Sequence, residues 1–158
     1  MFFEEGLSKR IQFYATDVNE TALHRAKSGF YSIETIRDGE KRYRKSGGKG
    51  KLSDFFLEKG SLGQIQNDLK KNIVFAHHNL VTDEIFGHIH LIFCRNVLLY
   101  FSKKLKDRAF RIFEESLVSK GFIALGIAET MAESKQASKK FEIVSDSFKI
   151  YQKRRVLT

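Results

Sequence analysis

Proline is absent from all 158 residues of this chain, and cysteine occurs once, at Cys94. Without proline, no prolyl ring ends a helix or fixes a turn, so the breaks fall to glycine. One cysteine excludes an internal disulfide and fits a reducing compartment, the cytoplasm. No apolar run is long enough to span a bilayer, and Met1-Phe2-Phe3 is too short for a signal segment. Acids are in deficit, with 19 Asp and Glu against 28 Lys and Arg, a net charge of +9. What remains has the make-up of one globular domain, 42% hydrophobic and 30% charged.

The basic excess suggests nucleic acid until its distribution is read. Arg37 to Lys51 holds seven Lys and Arg against two acids, around Gly47, Gly48 and Gly50. The basic residues near those glycines read as a solvated loop, with no helix-turn-helix, zinc-finger or aromatic RNA-binding signature beside them. An acidic protein partner accounts for the charge equally well. Gly47-Gly48-Lys49-Gly50-Lys51 lacks the preceding apolar strand and the Lys-Ser/Thr ending of a phosphate loop. His77-His78 and His88-x-His90 lack the Cys or carboxylate cluster that would complete a zinc set.

Strand patterns fall at Ile11–Thr16, Asn72–Ala76, Leu91–Cys94 and Phe122–Gly126. Asn19 or Thr21 caps a helix that Gly29 ends, and Ser102 caps another running to Leu117, which Gly121 stops. Leu62–Leu69 alternates as an edge strand would. Phe141–Val144 and Phe148–Gln152 flank Asp146-Ser147 as a closing antiparallel hairpin. Strands alternating with helices predict an α/β domain with a mixed sheet.

Leu91 to Phe101 concentrates the chemistry. An apolar strand ends in Cys94-Arg95-Asn96, with Tyr100 shortly after. In open α/β sheets ligands sit beyond the carboxyl ends of strands, so these side chains emerge at a binding edge. Asp17 holds the same position after its own strand, where a carboxylate can take both hydroxyls of a ribose; a helix cap or loop acid is the alternative. Asn79 can present an amide to an adenine edge while Leu80 packs on the ring, or can serve only in a turn. Arg95 can hold a carboxylate in bidentate fashion, or pair with Asp17 or Glu129. Tyr100 reads otherwise as an interface residue, and Cys94 as a small buried filler.

Four stretches in order carry a resemblance. They are Tyr14-Ala15-Thr16-Asp17-Val18-Asn19 with Ala22-Leu23 and Ala26; Ile73-Val74-Phe75 with Asn79-Leu80; Cys94-Arg95-Asn96-Val97 with Tyr100-Phe101; and Gly121-Phe122 with Leu125-Gly126 and Glu129. The chain resembles the chemotaxis-receptor methyltransferases, the CheR family of S-adenosylmethionine-dependent protein-glutamate O-methyltransferases. The match runs along nearly the whole chain, against the second half of the family's catalytic domain.

The resemblance implies a Rossmann-like methyltransferase fold with a mixed sheet and a C-terminal antiparallel hairpin. It implies that 1–158 is a partial catalytic domain, its first strand and Gly-rich loop (Gly-Glu-Glu-Pro-Tyr-Ser-like) missing, with a small β insert at about 36–70 that helps dock receptor tails. The cofactor would be S-adenosylmethionine, leaving as S-adenosylhomocysteine, held by Asp17, Asn79, Leu80, Arg95 and Asn96. Arg95 and Tyr100 would be catalytic, with no metal. The partner would be the acidic, Glu-containing cytoplasmic region of a receptor, without specific nucleic acid or membrane insertion. Sheet edges left unpaired by a missing strand would favour self-association. The alternative is a non-catalytic receptor-binding module.

Overall fold

The computed structural model describes residues 2–83, 85 and 87–155, which divide between His78 and Asn79 into two compact units. In the first, β1 (Phe13–Asp17) leads into α1 (Glu20–Ser28), β2 (Phe30–Ser32) and α2 (Ile33–Lys45). There follow β3 (Phe56–Lys59), β4 (Leu62–Ile65), the short α3 (Asn67–Lys70) and β5 (Ile73–His77). Asn19 caps α1 through its side-chain oxygen, which accepts from the Ala22 N–H (3.1 Å). Gly29 ends α1 in the left-handed region, at φ 70°, where a side chain would also collide with Ile65.

β1 and β5 pair in parallel, with Asp17 opposite His77, so both strands end at one edge. β2, β4 and β3 form a separate antiparallel sheet in that order. β4 is therefore its central strand, not the edge strand that the alternation of Leu62–Leu69 predicts. Alternation reports which faces are wet, whereas sheet order depends on distant partners, here Phe30 opposite Gln64. This sheet also starts earlier than the 36–70 interval, since Phe30–Ser32 is one of its strands.

The second unit contains β6 (Ile89–Cys94), α4 (Lys103–Ser116), β7 (Leu117–Leu125), the short α5 (Ala137–Lys140), β8 (Phe141–Ser145) and β9 (Ile150–Lys153). Its sheet runs β6-β7-β9-β8, parallel between β6 and β7 and antiparallel through the closing hairpin. Ser102 caps α4 by accepting from Leu105 N–H (3.5 Å). The apolar stripe of α4, including Ala109, Phe110 and Phe113, packs with Leu117, Ile123, Leu125 and Tyr151 in the core. Gly121 does not stop the helix. α4 ends at Ser116 and the chain enters β7 directly, with Lys120 at φ 66° where the pairing with β6 slips between Ile89 and Leu91.

Among the described residues, β1 and β6 each pair with one strand only and keep one free edge. No helix among them is long and apolar enough to cross a membrane.

Candidate functional site

β6 and β7 run parallel with Cys94 opposite Leu125, so Arg95-Asn96 and Gly126 leave the sheet side by side. What joins these two loops is Glu129. Its side chain is only 5% exposed, and both oxygens accept backbone N–H groups. Oε2 takes Gly126 (2.6 Å) and Asn96 (2.9 Å), and Oε1 takes Leu98 (2.7 Å). A carboxylate buried this deeply is tolerable because charge-assisted bonds replace its water. Asn96 sits at φ 61°, the left-handed conformation that asparagine accepts more readily than most residues. Gly126 leaves no room for a side chain: a Cβ would lie 2.5 Å from Asn96 Oδ1 and 2.7 Å from Glu129 Oε2.

Arg95 and Asn96 are both exposed on this clasped turn. Glu129, one ion-pair partner open to Arg95 on sequence grounds, commits both oxygens to the backbone instead. Tyr100 closes the one-turn helix Leu98–Tyr100 and is 89% exposed. Leu98, two residues earlier, is fully buried and anchors that turn in the core. Cys94 is buried, and burial first, then the Glu129 charge, pushes its thiol up to about 12. It is a closed core thiol, not a nucleophile.

Asp17 belongs to the first unit. Its Oδ1 accepts from the Asn19 N–H (2.9 Å) and its carbonyl from the His78 N–H (3.1 Å). The cap of α1 is Asn19, so Asp17 is an exposed strand-end acid in a turn. Asn79 and Leu80 open the second unit. Asn79 Oδ1 accepts from Val81 N–H (2.9 Å) and its own N–H donates to Asp83 (2.8 Å). Leu80 is half-buried against the core. The structure thus brings Arg95, Asn96 and Tyr100 onto one short loop and places Asp17 in the other unit.

The sequence reading missed the clasp. Glu129 stood out as part of the fourth family stretch and as a possible ion pair, although its place three residues after Gly126, just past the end of β7, is the available signal. A cavity of about 400 Å³ lies in the first unit between α2 and β3. Ile36, Phe56, Arg37, Glu40, Arg44 and Lys51 line it, and it contains none of the predicted residues. Among the described residues, no three His, Cys, Asp or Glu side chains gather as metal ligands do.

Parallel strand pairs that end in polar turns, with helices between the strands, define an α/β protein with mixed sheets. Residues 1–147 match the family of the CheR methyltransferase SAM-binding domain, and the chain belongs to that family. S-adenosylmethionine is therefore the cofactor of its family. Cher3 of Pseudomonas putida is 40% identical over 150 residues, covering 95% of this chain and 55% of that protein. The chemotaxis protein methyltransferase of Listeria innocua is 33% identical over 122 residues, 77% of this chain and 44% of its own. The chain thus spans about half the length of these curated relatives. A solved structure, the N-methyltransferase NodS of Bradyrhizobium japonicum, aligns over 97% of this chain and 80% of its own. Its TM-score is 0.49 at 12% identity, too loose to assign a role to any residue.

Proposed function

We propose that this chain forms part of an enzyme that transfers a methyl group from S-adenosylmethionine to glutamate side chains of chemotaxis receptors, giving methyl esters. The observation that carries the reading is the family match over 1–147 together with the clasped Arg95-Asn96 turn at the end of β6. The donor set suits the cofactor. Asp17 offers an exposed carboxylate for ribose hydroxyls, with one oxygen engaged by Asn19. Asn79 offers its amide N–H₂ to the adenine edge, because its Oδ1 already holds the turn. Leu80 packs beside the base. Asn96 holds the methionine portion through its amide and backbone carbonyl.

When bound, S-adenosylmethionine supplies an electrophilic methyl group on sulfur. A substrate glutamate is already ionised at neutral pH, so the site needs alignment and dryness more than a base. Arg95 orients that carboxylate, its fork matching the two oxygens. Tyr100, exposed on the neighbouring turn, closes over the reacting groups and shapes the methyl slot. Arg37, Arg44 and Lys51 around the first unit's cavity supply cations for an acidic receptor segment.

Calorimetric titration of the purified chain with S-adenosylhomocysteine tests the cofactor half of this reading. Clear micromolar binding, about −8 kcal/mol, would mean that the residues present assemble a site. Asn96→Ala should weaken it about tenfold, the scale of one lost hydrogen bond. Transfer of labelled methyl to a receptor cytoplasmic fragment, released by mild base as an ester should be, tests the other half. No heat from folded protein would overturn the reading for this chain and favour a receptor-binding module.

A further inference from the structure

We propose that Glu129 is a positioning residue of the cofactor site, setting the conformation in which Asn96 meets its ligand; this rests on the cofactor reading above. Three backbone N–H groups from two loops converge on its carboxylate, at 2.6, 2.7 and 2.9 Å. Three donors against two oxygens require a group that only accepts, which a carboxylate is and a Gln amide is not. The bond from Asn96 holds its N–H on the buried side of the turn. Asn96 as a residue stays exposed, its Oδ1 packed over Gly126 and its amide N–H₂ left for the ligand, and the positive φ of 61° is kept in place.

The neighbouring residues are fitted to the same clasp. Gly126 has hydrogen as its side chain where Asn96 Oδ1, Glu129 Oε2 and Asn96 N crowd within 2.9 Å of a would-be Cβ. Leu98, tied to Oε1, is 1% exposed and fixes the start of the turn that ends at Tyr100. One buried carboxylate therefore sets both the Arg95-Asn96 turn and the root of the Tyr100 turn. Glu129 touches neither cofactor nor substrate; it acts through Asn96.

The test is S-adenosylhomocysteine titration of the unmodified chain, Glu129→Gln, Gly126→Ala, Asn96→Gly and the double variant Glu129→Gln with Asn96→Gly, each checked for fold by circular dichroism. Glu129→Gln and Gly126→Ala should each lose at least tenfold in affinity with the fold intact. In the double variant the losses should be less than additive, because part of what Glu129 positions is the side chain already removed. Undiminished affinity in both clasp variants, or additive losses in the double, would overturn the inference. If Glu129→Gln does not fold, Gly126→Ala decides. If neither folds, amide spectra of the unmodified chain decide: Asn96, Leu98 and Gly126 should move together on titration, and unmoved signals count against the proposal. Absence of binding by the unmodified chain overturns the cofactor reading and this inference together, whereas binding with insensitive variants overturns this inference alone.

Discussion

Glu4 Oε1 accepts from the Tyr43 hydroxyl and from the backbone N–H groups of Lys49 (3.0 Å) and Gly50 (3.1 Å). One acid from the start of the chain thereby orders the glycine-rich basic loop that the composition marks only as solvated. The hydroxyl of Tyr43, foremost, holds the Glu4 carboxyl down at about 2 against an ordinary 4.5. Tyr43 in turn is pushed up to about 12 from 10.0, by burial first and then by the Glu4 bond. The signs follow from linkage. The stabilisation from Glu4 is complete above about 4.5 and is lost as pH falls toward about 2. That from Tyr43 is complete below 10.0 and is lost as pH rises toward about 12. Tyr43→Phe should remove one phenol that ionises near 12 from an ultraviolet absorbance titration and flatten both arms of the stability profile. An absorbance change near 12 left undiminished by the substitution would refute the assignment. No sequence pattern links residues 39 apart, which is why this bond was invisible while the caps at Asn19 and Ser102 were not.

At the scale of elements, the legible features are those fixed within a few residues. The parallel-strand cores at Ile73–His77 and Ile89–Cys94, the helix stop at Gly29 and the closing hairpin all follow from local periodicity and turn chemistry. Features that depend on distant pairing were not legible: β4 as a central strand, Gly121 inside β7, and the Glu129 clasp. Among the described residues β6 is an edge strand of its sheet. On β6, Phe93 is 70% exposed and Leu91 41%, both in a strand with one unpaired edge. Such a strand invites pairing with another chain, and a lysine in it opposes that by burying charge. Phe93→Lys should lower the average mass of concentrated protein in light scattering and leave the circular dichroism spectrum unchanged. An unaltered mass distribution would show that β6 is not the route of association.

Over the whole molecule, the buried apolar residues are distributed unequally. Among the described residues all of them except Ile36 lie after His78, in the unit built around α4 and β7. Each fully buried Leu, Ile or Phe contributes roughly 1.5–3 kcal/mol relative to exposure, so the second unit holds nearly all of that stabilisation. The first unit relies on thinner devices: the two-stranded β1–β5 pair, the three-stranded sheet, the Glu4 bonds and tilted aromatic contacts such as Phe2 with Phe13. A two-stranded sheet is marginal by itself, and local opening free energies track buried contact. Hydrogen exchange should accordingly find the slowest amides in α4 and β7. Those of β1, β5 and the β2-β4-β3 sheet should exchange faster and be lost first in rising urea. Uniform protection across both units would contradict this account.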